Sequence, residues 1–243
     1  MKYRKFIPAS AFVIILIFIA LAYLYGNGKI HFNYPGSEKY PVVGIDVSNY
    51  QGEIDWEKIA GQNIDFAFIK CTEGSGFKDP FFDRNWELAG ETGMRIGAYH
   101  FFSFDSSGKT QGELFCETVQ AVDNMLPPVI DVETYGEYNR GKTIDVPNVK
   151  KELRVLVDML EENYGMKPII YCGPLYDSII KGDFDDCELW YRSVYKPLPE
   201  IYNVAFWQYS DNHILSGYSG EERFIDMNVF VGTEEEFKKY PEK

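Results

Sequence analysis

Residues 128–172 read PVIDVETYGEYNRGKTIDVPNVKKELRVLVDMLEENYGMKPIIYC and carry the clearest structural signal in the chain. A short apolar run at each end is typical of a buried strand. Between the two runs, apolar residues recur at helical spacing over 147–164, with Asp145 as a start signal and Gly165 as a stop signal. This pattern predicts two parallel strands joined by a crossover helix.

The same alternation extends in both directions along the chain. We predict eight strands, at residues 42–47, 66–71, 96–102, 128–132, 168–172, 189–194, 204–209 and 224–229. Helical stretches separate the first five strands, whereas loops are expected to join the last three. Thr233 and Glu236 form the capping box of a final short helix. Residues 42–240 are therefore expected to fold as one α/β domain, a TIM-like barrel with its later helices trimmed.

The N-terminal segment has a different character. Residues 6–25 carry no charge, and about 20 helical residues rising ~1.5 Å each would span a bilayer core of ~30 Å. Lys2, Arg4 and Lys5 precede this run, which favours export of everything that follows. We predict a signal helix over 1–25, either an uncleaved transmembrane anchor or a signal peptide cleaved near Ala22, followed by a linker over 26–41.

Charge and composition exclude several classes of function. The first 25 residues hold three of the 24 basic residues and none of the 37 acidic ones, so the remainder carries a formal charge of −16. Such a surface repels phosphate backbones, which excludes a nucleic-acid partner. Three histidines disfavour a multi-histidine zinc site. Cys71 and Cys172 lie in apolar runs and are interpreted as buried hydrophobic residues, although a Cys71–Cys116 disulfide stays open in an exported domain.

Acidic residues recur at the ends of the predicted strands. Asp46, Asp131, Glu133 and Asp226 each lie at one end of a strand, and the active site of such a barrel is built at the carboxyl ends of its strands. We therefore expect these four carboxylates to converge on one mouth. Glu73 ends the second strand and is interpreted as a brace that pairs with Lys70 or Arg192.

The spacing of two of these acids indicates a chemistry. Asp131 and Glu133 are two residues apart on a strand, so their side chains share a face. A close, partly desolvated pair can hold one carboxyl protonated beside an ionised partner, which is what glycosidic cleavage requires. The rival interpretation is a Ca²⁺ or Mg²⁺ site built from the same oxygens. We favour acid catalysis, with no metal and no cofactor.

Aromatic residues near the same strand ends predict a groove for sugar rings. Tyr99, Phe101, Tyr135, Tyr171 and Trp207 are the principal candidates. His100 lies among them and is interpreted as a structural histidine that orients a carboxylate.

Several segments together resemble glycoside hydrolase family 25, the Chalaropsis-type lysozymes. They are GIDVSNYQGEIDW (44–56), FAFIKCTEGSGFKDPFF (66–82), PPVIDVE (127–133) and FWQYSDNHILSGYSGEERFIDMNVF (206–230). The resemblance runs from about residue 43 to residue 230 and keeps the order of every motif. One departure is Arg192-Ser193, where the family more often has an aliphatic residue and an alanine.

The resemblance implies a (β/α)5(β)3 barrel that cleaves the β-1,4 bond between N-acetylmuramic acid and N-acetylglucosamine in peptidoglycan. It implies Glu133 as the general acid and Asp131 as its partner, which would orient the 2-acetamido group of the substrate. It also implies Asp46 and Asp226 as further active-site acids, and Tyr99, His100 and Gln208 as substrate-binding residues. We thus expect a monomeric muramidase in the bacterial cell envelope, anchored in the membrane or secreted. A glycan-binding module without turnover and a metal-dependent hydrolase are the alternatives.

Overall fold

A closed barrel of eight strands forms the centre of the protein. The computed structural model describes residues 9–241. The strands are β1 (Val43–Val47), β2 (Phe66–Glu73), β3 (Phe77–Lys78), β4 (Arg95–Phe101), β5 (Val129–Asp131), β6 (Ile169–Cys172), β7 (Leu189–Arg192), β8 (Val204–His213) and β9 (Ile225–Phe230). The helices are α1 (Ala9–Gly26), α2 (Trp56–Ala60), α3 (Phe82–Gly90), α4 (Gly108–Thr118), α5 (Val146–Tyr164) and α6 (Glu234–Lys239).

The order of the strands around the barrel is β1-β2-β4-β5-β6-β7-β8-β9, and β9 closes the circle by pairing with β1. All neighbours are parallel except β9, which runs antiparallel to both β8 and β1. The short β3 lies outside the circle as a hairpin on β2. The eight predicted strands are confirmed, and β3 is the one that the sequence did not reveal.

Helices cover the first half of the barrel, and only short helical segments follow the later strands, as predicted. Each of the first four barrel strands is followed by an α-helix, and a single π-helical turn at Tyr176–Ile180 follows β6. The predicted caps of α5 are confirmed, because the Asp145 side chain accepts a hydrogen bond from the Asn148 amide and Gly165 adopts a left-handed φ of 67°. The capping box of Thr233 and Glu236 opens α6.

The barrel interior is apolar towards the amino ends of the parallel strands and polar towards their carboxyl ends. Alternate side chains of each strand point inward. In the apolar layers Phe66, Phe68, Trp190 and Phe206 pack together, with the Phe68 and Trp190 rings stacked 4.6 Å apart. Gly97 makes room for this layer, since a Cβ atom there would lie 2.7 Å from the Phe68 ring. These rings fill the barrel near the amino ends of the strands, and the inward-facing residues nearer the carboxyl ends are polar.

The structure does not support the predicted transmembrane helix. Across residues 9–241, no helix combines the length and the apolarity that a membrane crossing needs. The helix α1 occupies most of the predicted segment, and its large apolar side chains are exposed, Phe12 and Phe18 among them. Lys2, Arg4 and Lys5 and the first residues of the predicted helix lie outside the described residues.

Part of the predicted linker lies against the barrel. The buried Asn33 donates hydrogen bonds to the carbonyl oxygens of Ser193 and Tyr209, at 2.8 and 3.2 Å. The His31 ring stacks on the His213 ring with a centroid distance of 3.6 Å. These contacts tie the segment to the ends of β7 and β8.

The four cysteines are free thiols in the structure. Cys71 and Cys172 are fully buried, as their apolar surroundings predicted. The disulfide left open between Cys71 and Cys116 is not formed.

Candidate active site

A cavity of about 430 Å³ opens at the carboxyl ends of the parallel strands. Its lining brings together the four predicted acids, namely Asp46, Asp131, Glu133 and Asp226, and four of the predicted groove residues, namely Tyr99, Phe101, Tyr171 and Gln208. The remaining lining residues are Val47, Ser48, Tyr50, Gln51, Lys70, Trp190, Asp211, Glu222 and Phe224. The predicted convergence of carboxylates on one mouth is therefore present in the fold.

Asp226 reaches this mouth for a reason that the sequence analysis did not foresee. The strand pattern predicts that Asp226 lies at the end of a strand that runs parallel to the others. In the structure β9 runs in the opposite direction, and Asp226 is near its beginning. Because an antiparallel strand starts where its neighbours end, Asp226 pairs directly with Asp46 of β1.

Asp46 is held by two amide side chains. Its Oδ2 atom accepts hydrogen bonds from Gln208 Nε2 at 2.9 Å and from Asn228 Nδ2 at 2.8 Å. The indole N–H of Trp190 in turn donates to Asn228 Oδ1 at 2.7 Å, which fixes the direction of that amide. Burial raises the pKa of Asp46 from 3.8 to about 6, and the hydrogen bonds from Asn228 and Gln208 oppose the rise.

Gln208 links three sides of the cavity. Its Nε2 atom also donates to Asp226 Oδ2 at 3.2 Å, and its Oε1 atom accepts from the Tyr171 hydroxyl at 2.9 Å. Burial raises the pKa of Asp226 well above its usual value, and the nearby charge of Asp46 adds to the effect. The network therefore orients both carboxylates before any substrate arrives.

Asp131 and Glu133 form the second carboxylate pair. Asp131 is only 6% exposed, and its Oδ1 atom has no hydrogen-bond partner. Burial raises the pKa of Asp131 well above its usual value, and the negative charge of Glu133 raises it further. Burial also raises the pKa of Glu133, while the positive charge of Arg192 lowers it. Both carboxyls line the cavity, and the unpaired Oδ1 atom of Asp131 is buried in its wall.

Two basic side chains balance these acids. Lys70 is the one basic residue among the described residues that line the cavity. Its ammonium group lies 2.7 Å from Glu73 Oε2 and 5.1 Å from the centre of the Phe101 ring. The predicted brace between Glu73 and Lys70 is confirmed. Arg192 pairs with Asp211 at 2.9 Å, and its charge acts on Glu133 and Asp226.

Three predicted groove residues do not line the cavity, namely His100, Trp207 and Tyr135. For the first two, the reason is the alternation of side chains along a strand. Side chains alternate along a strand, so Tyr99 and Phe101 facing inward force His100 outward. His100 is fully buried between Thr72 Oγ1 at 2.8 Å and Gln111 Oε1 at 3.0 Å, and burial lowers its pKa to about 4. The histidine is structural, as interpreted, but its hydrogen-bond partners are a hydroxyl and an amide rather than a carboxylate.

Trp207 obeys the same alternation. Its neighbour Gln208 faces the cavity, so the Trp207 indole packs outside the barrel and donates to the Ser193 carbonyl at 3.0 Å. Tyr135 lies beyond the end of β5, where its hydroxyl accepts from the Phe104 amide at 2.7 Å. Its ring packs edge-on against Phe101 behind the cavity wall.

Trp190 and Lys70 line the cavity, and Asn228 supports one of its acids through a hydrogen bond, although the site residues predicted from the sequence include none of the three. Lys70 could have been found, because Phe66, Phe68 and Lys70 form one inward row with a period of two. The hydrogen bond from Trp190 to Asn228 joins residues 38 positions apart, and no local pattern predicts such a pair.

A metal centre does not fit these side chains. Over residues 9–241, no three histidine, cysteine, aspartate or glutamate side chains are placed to hold one ion. Asp46 already accepts two amide hydrogen bonds on one oxygen, and Asp131 is deeply buried. The metal-dependent alternative therefore gains no support from the donor geometry.

The raised pKa of Asp46 predicts a cost in stability at neutral pH. A carboxyl whose pKa is raised by folding stabilises the fold below its unfolded pKa, and this contribution is lost as pH rises through about 6. We expect Asp46→Asn to raise the free energy of unfolding at pH 7 by up to about 3 kcal/mol, or ~10 °C in Tm, with little effect at pH 4. Chemical denaturation across this pH range is the measurement. Asp123→Asn, an exposed control, should leave the free energy of unfolding unchanged at both pH values. The expectation is contradicted if Asp46→Asn is no more stable than the parent chain at pH 7.

The sequence and the fold of this chain are similar to those of known proteins. The family model described as "Glycosyl hydrolases family 25" matches residues 45–218. A solved family 25 glycosyl hydrolase from Bacillus anthracis is 46% identical, with a TM-score of 0.80, and the alignment covers 87% of this chain and 97% of that one. A lysozyme structure from Streptomyces coelicolor is 27% identical with a TM-score of 0.70, covering 82% and 95% of the two chains. Lysozyme M1 from Streptomyces globisporus is 29% identical over 208 residues, 79% of this chain and 68% of its own length.

Proposed function

Because this chain belongs to glycoside hydrolase family 25, we propose that it is a lysozyme that hydrolyses the β-1,4 bond between N-acetylmuramic acid and N-acetylglucosamine in peptidoglycan. The observation that carries the proposal is the pair of Asp131 and Glu133. Both carboxyls line one cavity with raised pKa values, and one of their oxygens has no partner within the protein. A glycosidase needs this combination of a protonated acid and a nearby acceptor.

In the proposed reaction Glu133 is the general acid. Burial raises its pKa, so the carboxyl keeps its proton at higher pH than an exposed glutamate would. Glu133 gives this proton to the oxygen of the glycosidic bond as the bond from that oxygen to the anomeric carbon breaks. A water molecule supplies the hydroxyl group that the anomeric carbon gains, and its other proton returns to Glu133.

Asp131 supports the same step as its partner. Its unpaired Oδ1 atom is an acceptor of the kind that the N–H of a 2-acetamido group would satisfy. Holding that group orients the sugar, whether its carbonyl oxygen or a water molecule attacks the anomeric carbon. Asp46, with a pKa of about 6, adds negative charge beside the carbon on which positive charge develops, and Asp226 lies opposite Asp46.

The cavity wall suits a sugar substrate. Tyr99, Phe101 and Tyr171 present aromatic surface, and Gln208 presents an amide between them. Flat apolar rings with a few placed polar groups match the faces and hydroxyls of a pyranose. The glycan-binding alternative has no observation in its favour, since all four acids line the cavity.

This activity belongs in the cell envelope or outside the cell, where peptidoglycan lies. Export and a monomeric state stay predictions. Anchoring through the N-terminal segment also stays a prediction, and it would require the full chain to remain with membranes after a carbonate wash.

The identity of the new reducing ends tests the proposal. Purified peptidoglycan would be digested with the full chain, reduced with borohydride and analysed by mass spectrometry. We expect muramitol at the new ends from the parent chain and none from Glu133→Gln. Glucosaminitol would mean that the other bond of the glycan is cut, and the absence of new ends on several peptidoglycans would contradict hydrolysis.

A further inference from the structure

Four aromatic residues form an exposed surface beside the mouth of the barrel. Phe32, Tyr34 and Tyr195 are 60%, 69% and 56% exposed, and the half-buried Tyr25 lies beneath them. The Phe32 ring contacts Tyr25 at 5.1 Å and Tyr195 at 5.4 Å, both edge-on. We call Tyr25, Phe32, Tyr34 and Tyr195 the aromatic shelf. Tyr34 lies two residues beyond Phe32, and its ring packs edge-on against His31. An exposed group of apolar rings usually marks an interaction site.

The backbone segment that carries the shelf is hydrogen-bonded to the barrel. Asn212 of β8 donates hydrogen bonds from Nδ2 to the carbonyl oxygens of Tyr25 and Ile30, at 3.1 and 3.2 Å. The buried Asn33 between Phe32 and Tyr34 is tied to the ends of β7 and β8, as described above. Because this backbone is already held in place, binding a ligand there costs less conformational entropy than ordering a free segment.

The shelf continues the catalytic cavity. Tyr195 lies three residues beyond the end of β7, on the rim where the active site opens. Burial, together with the nearby side chains of Asp211 and Tyr195, raises the pKa of the Tyr25 hydroxyl to about 12. Asp211 lines the cavity and pairs with Arg192 at 2.9 Å. Asp211 therefore lies near the Tyr25 hydroxyl and also lines the cavity.

We propose that the aromatic shelf is an accessory binding surface for the glycan strand, which receives sugar residues beyond those held in the cavity. The inference rests on the proposed function and extends the same site. A glycan polymer leaves the cavity on both sides of the bond that is cut, so a surface continuous with the cavity meets it first. Exposed aromatic rings bind the apolar faces of pyranoses while their edges leave the sugar hydroxyls in water.

The shelf should matter only for long substrates, so the experiment compares the kinetics of each variant on long glycan strands and on a short oligosaccharide. Phe32→Ala and Tyr195→Ala are each expected to raise KM about 3–10-fold for long glycan strands. Neither should change KM or kcat more than about 2-fold for a muramyl tetrasaccharide, which the cavity holds without the shelf. Phe32→Leu and Tyr195→Leu keep apolar volume but lose the flat ring, so they should show the same length dependence if the alanine variants fold poorly.

Tyr202→Ala is the matched control. Tyr202 is 82% exposed but lies two residues before β8 begins, at the end of the barrel opposite the mouth, and it should leave both substrates unaffected. Equal losses on strands and tetrasaccharide would overturn the inference and make the shelf a support of the cavity wall. Unchanged kinetics on both substrates would also overturn it.

A binding measurement separates the shelf from the proposed function. Co-sedimentation with insoluble peptidoglycan in the Glu133→Gln background reports binding without turnover, and the shelf variants should lose it. If the parent chain produces no new ends but the shelf variants still lose binding, the proposed function fails and the shelf stands. If the variants instead lose only their binding to vesicles of phosphatidylethanolamine and phosphatidylglycerol, the shelf faces lipid and the inference is overturned.

Discussion

Glu133→Gln is expected to lower kcat on peptidoglycan by about 10²–10⁴-fold, the range that a positioned general acid contributes. Glutamine has nearly the same shape as glutamic acid but has no acidic proton to give to the leaving oxygen. Binding of the substrate depends on the surrounding cavity, so KM should change little. Steady-state release of reducing ends, with the variant at high concentration, measures the residual rate.

The pH dependence of kcat/KM for the parent chain also tests Glu133 as the general acid. An acid catalyst must be protonated, so kcat/KM should be present below the pKa of Glu133 and be lost as pH rises through it. Because burial raises that pKa, activity should persist at higher pH than an exposed glutamate would allow. The residual activity of Glu133→Gln should lose this limb of the profile.

Glu137→Gln is the control, because Glu137 lies in the same loop but is exposed and pairs only with the exposed Arg140 among the ion pairs of the described residues. It should retain the activity of the parent chain. If Glu133→Gln folds normally and retains more than about a tenth of the parent kcat, the assignment of the general acid is wrong.

Asp131→Asn is expected to have the second largest effect, a fall in kcat of about 10²-fold or more. The substitution removes the ionisable carboxyl and replaces one of its two acceptor oxygens by an N–H₂ donor, which cannot accept the acetamido N–H. In the parent chain the buried Oδ1 atom is unpaired, so the substrate would complete its hydrogen bonding. Initial rates on peptidoglycan and the thermal midpoint measure catalysis and folding separately.

The direction of the accompanying stability change is an internal check. Burial and the charge of Glu133 raise the pKa of Asp131, so the ionised carboxylate costs stability as pH rises through that pKa. The asparagine variant should therefore be at least as stable as the parent chain at neutral pH while it is much less active. Loss of both activity and stability would mean that Asp131 supports the fold rather than the reaction.

Local patterns in the sequence predicted much of the barrel. The caps of α5 at Asp145 and Gly165 depend on residues within one turn of the helix, and both were found at the expected positions. The period of a strand predicts a shared face for Asp131 and Glu133; both side chains line the cavity, although β5 ends at Asp131. The same period would have excluded His100 and Trp207 from the cavity, had it been applied beside their inward-facing neighbours.

The resemblance to a family added what local patterns did not contain. Composition and spacing favoured acid catalysis but left metal binding open, because the same carboxylates serve both. The ordered set of motifs identified the family, and the family comparison confirmed it. Which carboxylate acts as the acid still rests on the proposal, supported by the burial and the raised pKa of Glu133.

The sequence by itself determined the strands, the capped helices and the acids that mark the mouth, since each depends on residues a few positions apart. Only the tertiary structure decided that β9 runs backwards and places Asp226 opposite Asp46. It also decided that Asn228 hydrogen-bonds to Asp46 across 182 positions, and that the segment holding Phe32 lies beside the cavity. These contacts arise when the barrel closes, because closure brings together side chains from distant strands that have no local relation in the chain.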